Sequence, residues 1–305
     1  MTANQRGMIV LGSALTDVGR ARNRNEDRVH FWAHADVSLA VVADGMGGAA
    51  AGEEASRIVI DTVQARLPVE FVLQNQATLT ERDLRLTVQA ANHNILQHAL
   101  QHPALKGMGT TVTLALVRGG SVMVAHVGDS RAYHISPEGT ITQITTDHSF
   151  VQALLDAKQI TEEQAETHPM GHILYRALGQ TKDLKVDTYS MRLHPHDHLL
   201  LCSDGLTRHV RRHEIAQLTS QSTETNSIAQ NLIALANMRG GTDNISVIVL
   251  YLDETASTPQ HSADQLEQQT NVTHDVSTAH LEAEDAPGHV PTDDLARQID
   301  SNPKA

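Results

Sequence analysis

Cysteine is almost missing from this 305-residue chain, which has a single one, Cys202. A lone thiol excludes an intramolecular disulfide framework and fits a reducing compartment, so a cytoplasmic location is expected. Aromatic residues make up 3% of the chain against 40% for hydrophobic residues as a whole, so the core must be built from Val, Leu, Ile and Ala. No apolar run approaches the roughly 18 residues that a spanning helix requires, and no membrane span is expected. Residues 8–15 are too short a run for a signal peptide, lack a clear cleavage site and read as a first strand. Basic residues are also outnumbered, 23 against 36 acidic. No basic stripe is present, which argues against a nucleic-acid partner.

The net charge of −13 is unevenly spread. From Asp253 onward the chain carries 11 acidic and 2 basic residues, and the first 252 residues carry 25 and 21. This last segment is rich in Thr, Gln, Ser, Asp and His. It is expected to be a disordered acidic tail, because it holds too little apolar surface to offset its ordering entropy. Residues 1–252 then form one large domain, near the upper end of single-domain sizes.

What is present is a set of four aspartates, each read as ending an apolar strand-like run and followed by a small or turn-forming residue. They occur in Val-Val-Ala-Asp44-Gly-Met-Gly-Gly, His-Val-Gly-Asp129-Ser-Arg, Leu-Leu-Cys-Ser-Asp204-Gly and Gly-Gly-Thr-Asp243-Asn-Ile-Ser. Any one of them is also what a tight turn demands. A carboxylate at the end of a buried strand, left unpaired, costs several kcal/mol, about the scale for burying any uncompensated ion. Four such positions, without a matching number of nearby Lys or Arg, call for hard divalent cations held by oxygen. They span about two hundred residues, so a single local loop cannot gather them and the fold must bring strand ends to one rim. Two divalent ions roughly 3.5–4 Å apart can activate a water and clamp a phosphoryl group.

Hydrophobic periodicity predicts strands over 8–15, 28–33, 39–43, 110–117, 121–126, 131–135, 198–202 and 244–252. Helices are predicted over 50–67, 80–101, 149–157, 162–166, 212–219 and 226–238. The helix over 80–101 carries Leu84, Val88, Ala91, Ile95 and Ala99 at helical spacing. The order does not alternate as a doubly wound sheet would.

The motifs carry a family resemblance. Thr16-Asp-Val-Gly-Arg-Ala-Arg22-Asn-Arg-Asn25-Glu26-Asp27, Ala43-Asp44-Gly45-Met46-Gly47-Gly48 and Gly107-Met-Gly109-Thr110-Thr111 occur first. Val127-Gly128-Asp129-Ser130-Arg131, Thr146-Asp147-His148-Ser149, Ser203-Asp204-Gly205 and Asp243-Asn244 follow. Over residues 8–252 the chain resembles the bacterial metal-dependent protein serine/threonine phosphatases of the PPM, or type 2C, family. That resemblance implies an α+β fold, a four-layer αββα sandwich of two antiparallel sheets flanked by helices, with a small flap subdomain. Residues 147–186 resemble the flap.

The resemblance also implies the chemistry. Asp44 would bridge two ions, with the Gly45 carbonyl on one and Asp204 and Asp243 on the other; Asp129 would serve a third, and Asp27 would act through water. Oxygen donors alone select Mg²⁺ or Mn²⁺ over zinc. Gly45 lets its carbonyl approach the ion closely. Arg22 would bind phosphate, its planar fork matching two oxygens, and in a strand Arg20, Arg22 and Arg24 would share one face. Many relatives carry a histidine that could donate the proton where this chain has Met46 or Ala49, so a metal-bound water or a histidine from elsewhere, such as His148 or His172, would have to serve. The implied partners are phosphorylated proteins and a cognate bacterial Ser/Thr kinase, and a monomer is expected.

Two other readings start from the same residues. Cys202-Ser-Asp-Gly-Leu-Thr-Arg208 fits the C-x5-R pattern of cysteine-dependent phosphatases, although Cys202 ends an apolar strand, a poor place for a thiolate. A catalytically weak phosphoprotein-binding regulator would keep the aspartates and lack an acid. His194-Pro-His196-Asp-His198 looks like a metal cluster and reads as a solvated turn.

Overall fold

A computed structural model describes residues 7–75, 78–166, 168–255 and 274–275. The strands are β1 (Gly7–Asp17), β2 (Arg28–His34), β3 (Val37–Ala43), β4 (Gly45–Met46), β5 (Gly109–Thr110), β6 (Val112–Arg118), β7 (Ser121–Val127), β8 (Arg131–Ile135), β9 (Ile141–Gln143), β10 (Asp187–Arg192), β11 (His198–Cys202), β12 (Ile245–Thr255) and β13 (His274–Asp275). The α-helices are α1 (Ala49–Arg66), α2 (Val69–Asn75), α3 (Glu81–Gln101), α4 (Phe150–Asp156), α5 (Glu162–Glu166), α6 (Asp204–Thr207), α7 (Arg212–Ser220) and α8 (Thr225–Met238).

Two main sheets form, in the orders β13-β1-β12-β11-β8-β9 and β10-β7-β6-β3-β2, and all their pairings are antiparallel apart from β13 with β1. Period-two alternation explains the layering. In β3, Leu39, Val41 and Ala43 face one core with α1 and α3, whereas Ala40 and Val42 face the opposite sheet. In β11, Leu199 and Leu201 meet that sheet while Leu200 and Cys202 pack with Ile228 and Leu232 of α8. Each sheet is therefore buried on both faces, and the result is the expected four-layer αββα sandwich. Truncating a fully buried leucine such as Leu201 to alanine in such a core costs about 2–5 kcal/mol.

The predicted helix over 80–101 forms as α3, with Leu84, Val88, Ala91 and Ile95 buried. Thr80 and Asp83 complete its capping box, and the Thr80 N–H donates to Asp83 Oδ2 at 2.9 Å. Several short or polar elements had no sequence signal, β4, α6 and β13 among them. Strand β10 is a polar edge strand, α2 is a seven-residue helix after Pro68, and β9 has three residues. The last strand runs to Thr255, three residues past the expected domain end. Of the acidic tail expected from residue 253, residues 256–273 and 276–305 lie outside the described residues. Among the described residues no helix is long and apolar enough to cross a membrane.

Candidate metal centre

The antiparallel registers bring the predicted aspartates to one end of the sandwich. Asp44 follows β3 and Asp27 precedes β2, whose Arg28 pairs with Ala43. Asp204 follows β11 and Asp243 precedes β12, and Cys202 pairs with Val247. Asp129 follows β7, whose Val127 pairs with Val112.

The carboxylates feel one another. Burial, then the charges of Asp27, Asp204, Asp129 and Asp243, push the Asp44 carboxyl well above its usual range. Asp27 is pushed up to about 7, by burial first, against the lowering effect of hydrogen bonds from Ser246 and Ser203. Asp129 is raised by burial and by Asp204 and Asp147. A cluster that resists its own ionisation is what a cation relieves, and the donors are all oxygens. The residues therefore fit a hard divalent ion.

Two arginines compensate part of the charge, fewer than the carboxylates gathered at this rim. Arg208 is bound to Asp204, Nε lying 2.8 Å from Oδ2, an i,i+4 pair. Arg22 Nη2 is 3.0 Å from Asp243 Oδ2. Accordingly, among the described residues no three His, Cys, Asp or Glu side chains stand close enough to hold an ion as they are. Arg22 lies in the irregular stretch between β1 and β2, so the idea of one strand face for Arg20, Arg22 and Arg24 does not hold.

Positioning residues make up much of the site. Thr111 N–H and Thr110 Oγ1 both donate to the Asp44 carbonyl at 2.9 Å, and the Asp44 N–H donates to Thr111 Oγ1 at 3.1 Å. Ser246 Oγ donates to Asp27 Oδ2 at 2.7 Å. Asn244 accepts from the Glu26 N–H at 2.8 Å and donates to the carbonyls of Val18 and Arg24 at 2.9 Å. Sequence reasoning gave Ser246 no part, although a buried serine among the apolar residues of β12 was a legible signal. Gly45 is required for a reason other than the one expected: a Cβ there would stand 2.2 Å from the Gly52 carbonyl oxygen and 2.6 Å from that of Glu26.

The proposed histidine donors fare differently. His148 is buried, accepts from the Gly128 N–H through Nδ1 at 3.0 Å and meets Asp187 through Nε2 at 3.0 Å. Both ring nitrogens are committed, so His148 is not free to protonate a leaving group. His172 is exposed on a groove beside Asp129 and Asp204. Met46 pairs in β4 with Gly109 and offers no proton. The His194–His198 segment is only partly solvated: Asp197 and His198 are buried, and His196 Nδ1 is 2.6 Å from Tyr251 Oη.

Cys202 is fully buried and its thiol is pushed up to about 12 by burial, so no thiolate forms near neutral pH. Arg208, the other half of that pattern, is taken by Asp204. The geometry removes the cysteine mechanism.

Comparison with known proteins agrees with this. The family model for protein phosphatase 2C matches residues 19–238. The serine/threonine phosphatase stp of Listeria monocytogenes is 38% identical over 245 residues, covering 79% of this chain and 95% of that protein. Protein phosphatase PhpP of Streptococcus pneumoniae is 36% identical over 244 residues, with coverages of 79% and 97%. The crystal structure of the Mycobacterium tuberculosis serine/threonine phosphatase PstP/Ppp superposes with a TM-score of 0.74 at 36% identity, covering 81% of this chain and 100% of that one. The catalytic domain of PstP in complex with two manganese ions gives a TM-score of 0.71 at 35% identity, again over 81% and 100%. Shared motifs, fold and this similarity place the chain in the protein phosphatase 2C family, and it is a protein phosphatase and hence a hydrolase.

Proposed function

We propose that the protein hydrolyses phosphoserine and phosphothreonine on other proteins, as a cytoplasmic monomer opposing a bacterial Ser/Thr kinase. The observation that carries this is the cluster of Asp27, Asp44, Asp129, Asp204 and Asp243 at one rim, built from oxygen donors alone, in which burial and neighbouring carboxylates raise Asp27, Asp44 and Asp129. Asp44, the Gly45 carbonyl, Asp204 and Asp243 would hold two Mg²⁺ or Mn²⁺ ions, Asp129 a third, and Asp27 would act through water. When bound, such ions supply a water acidic enough to attack phosphorus near neutral pH.

The chain's own residues do the rest. The Thr110–Thr111 clasp fixes the Asp44 backbone, so its carboxylate is aimed before any ligand arrives. Arg22, released from Asp243, presents its fork to two phosphate oxygens. Ser246 holds Asp27 at the site's inner edge. With His148 committed, His172 on the groove beside Asp129 and Asp204, or a metal-bound water, would protonate the departing oxygen. Residues 147–186 would serve as the flap over the neighbouring groove.

The test is hydrolysis of a phosphothreonine peptide with Mn²⁺, with excess EDTA, and by Asp44→Asn and Cys202→Ser variants. Turnover that requires metal and Asp44 and survives Cys202→Ser supports the proposal. Metal-independent turnover, or none in the unmodified protein, overturns it, and the second outcome leaves a phosphoprotein-binding regulator.

A further inference from the structure

A groove of about 1280 Å³ opens beside the carboxylate rim, between residues 149–172 and the turn that joins α6 to α7. The wall from that turn carries Arg208, His209, Arg211 and Arg212, with Val210 among them. Arg208 is occupied by Asp204. Arg211 and Arg212 are exposed and make no ion pair among the described residues. Arg211 caps α7 through its backbone N–H, which donates to Glu214 Oε2 at 3.0 Å, whereas a positive side chain at this end of the helix is opposed by the helix dipole. The nearest acid on that helix, Glu214, is taken by Arg239, with Nη2 at 2.6 Å. The facing wall is mixed, with Lys158 and His172 beside Asp156 and Glu162, so the positive charge is concentrated on one side.

Resting on the reading of this rim as a protein phosphatase site, we infer that Arg211 and Arg212 select phosphoproteins that carry acidic residues near the phosphorylated side chain. The two arginines lie three and four residues beyond Arg208, which itself touches Asp204 at the rim. An extended peptide advances at most about 3.3–3.6 Å per residue, so a side chain two to four residues from the phosphoresidue comes within their reach. Exposed charge pairs of this kind are weak singly, so discrimination comes from two acting together and falls with salt.

The test uses the full chain with Mn²⁺ and three phosphothreonine peptides: one neutral, one with Asp or Glu two to four residues before the phosphothreonine, and one with them after it. One acidic peptide should exceed the neutral one in kcat/KM by about 3–10-fold at low salt, and the ratio should collapse towards one in 0.5 M NaCl. The Arg211→Gln/Arg212→Gln double variant should bring the ratio to near one, and Arg211→Lys/Arg212→Lys should keep most of it. Since the ratio is taken within each protein, a general loss of activity cancels. Equal rates on all three peptides, or a preference that survives the double Gln substitution, would overturn the inference and leave the phosphatase reading intact. Equal rates with competitive inhibition by a synthetic peptide of residues 276–305 would overturn it in favour of the chain's own acidic segment. Failure to hydrolyse both para-nitrophenyl phosphate and the peptides would overturn the underlying reading as well.

Discussion

Arg22 and Asp243 meet across 221 residues of sequence, with Nη2 3.0 Å from Oδ2. One residue is assigned to phosphate and the other to a metal ion, so each holds the other's place until ligands arrive. Removing the arginine should act in two directions. Arg22→Ala should raise KM for a phosphothreonine peptide by about 10–100-fold, the range for losing a charge-assisted hydrogen-bonded contact. The same change should tighten Mn²⁺ binding by no more than about fivefold, because the exposed pair it removes is worth about 0.2–1 kcal/mol. Steady-state kinetics and calorimetric titration separate the two. Weaker metal binding in Arg22→Ala would mean that the arginine supports Asp243 instead of competing for it.

Asp44 pairs a catalytic assignment with a stability cost. Its charged form is opposed by burial and by four neighbouring carboxylates. Asp44→Asn should abolish metal-dependent turnover, by 10³-fold or more, and raise the thermal midpoint in EDTA by several degrees. Scanning calorimetry with and without Mn²⁺ checks this: the variant should be the more stable protein without metal and gain less from its addition.

Histidine burial sets the acid limb of stability. His126 is fully buried beside His148, and burial lowers its pKa to about 3, with Thr113 Oγ1 3.0 Å from Nδ1. Since the folded pKa lies below the unfolded value of about 6.5, this contribution is complete above that value and is lost as pH falls towards 3. Between pH 7 and pH 5 the loss from this residue is about 2 kcal/mol. His148, also lowered by burial, adds in the same direction. The raised carboxyls of Asp27, Asp44 and Asp129 act in the opposite sense, gaining stability as pH falls, so the histidine share is read by difference: in urea unfolding at pH 5, 6 and 7, His126→Leu should lose about 2 kcal/mol less than the unmodified protein between pH 7 and pH 5. An unchanged slope would assign the acid sensitivity to other groups.

The layers were legible through the family resemblance, since β3 and β11 are buried along their whole length and show no exposed face in sequence, and the aspartates next to the strands gave the rim. The polar edge strand β10 escaped because only Tyr189 and Met191 of its six residues join the core between the sheets. The Arg208–Asp204 pair was hidden by reading Cys202 to Arg208 as one loop; on helix α6 the four-residue spacing makes them neighbours. Arg20, Arg22 and Arg24 would share a face only in a strand, and the chain between β1 and β2 is irregular, with Gly19 at a φ of 81°. Adjacency in the fold, such as His148 with Gly128 or Arg22 with Asp243, leaves no periodic trace in sequence.

The lone thiol gives a negative prediction. Cys202 is fully buried with a pKa near 12. Iodoacetamide at pH 8 should leave it unmodified in the native protein and label it stoichiometrically in 6 M urea, as read by mass spectrometry. Cys202→Ser should keep kcat within about twofold while costing about 1–3 kcal/mol, because a hydroxyl replaces a buried apolar sulfur.

Gly128 links the turn at Asp129 to residues 147–186. Its φ is 115°, its N–H donates to His148 Nδ1 at 3.0 Å, and an added Cβ would stand 2.5 Å from Thr111 Cβ. Thr111 in turn clasps Asp44 and shares a 2.6 Å hydrogen bond with Ser130. Gly128→Ala therefore pushes on the Asp44 clasp and the Asp129 turn together. It should cost about 2–4 kcal/mol of stability through backbone strain and overlap, and lower kcat more than it raises KM. His148→Ala should lower kcat in the same sense while leaving Thr111 in place, so its stability loss should be the smaller of the two. If Gly128→Ala kept full kcat, the geometry of Asp44 would be independent of this turn.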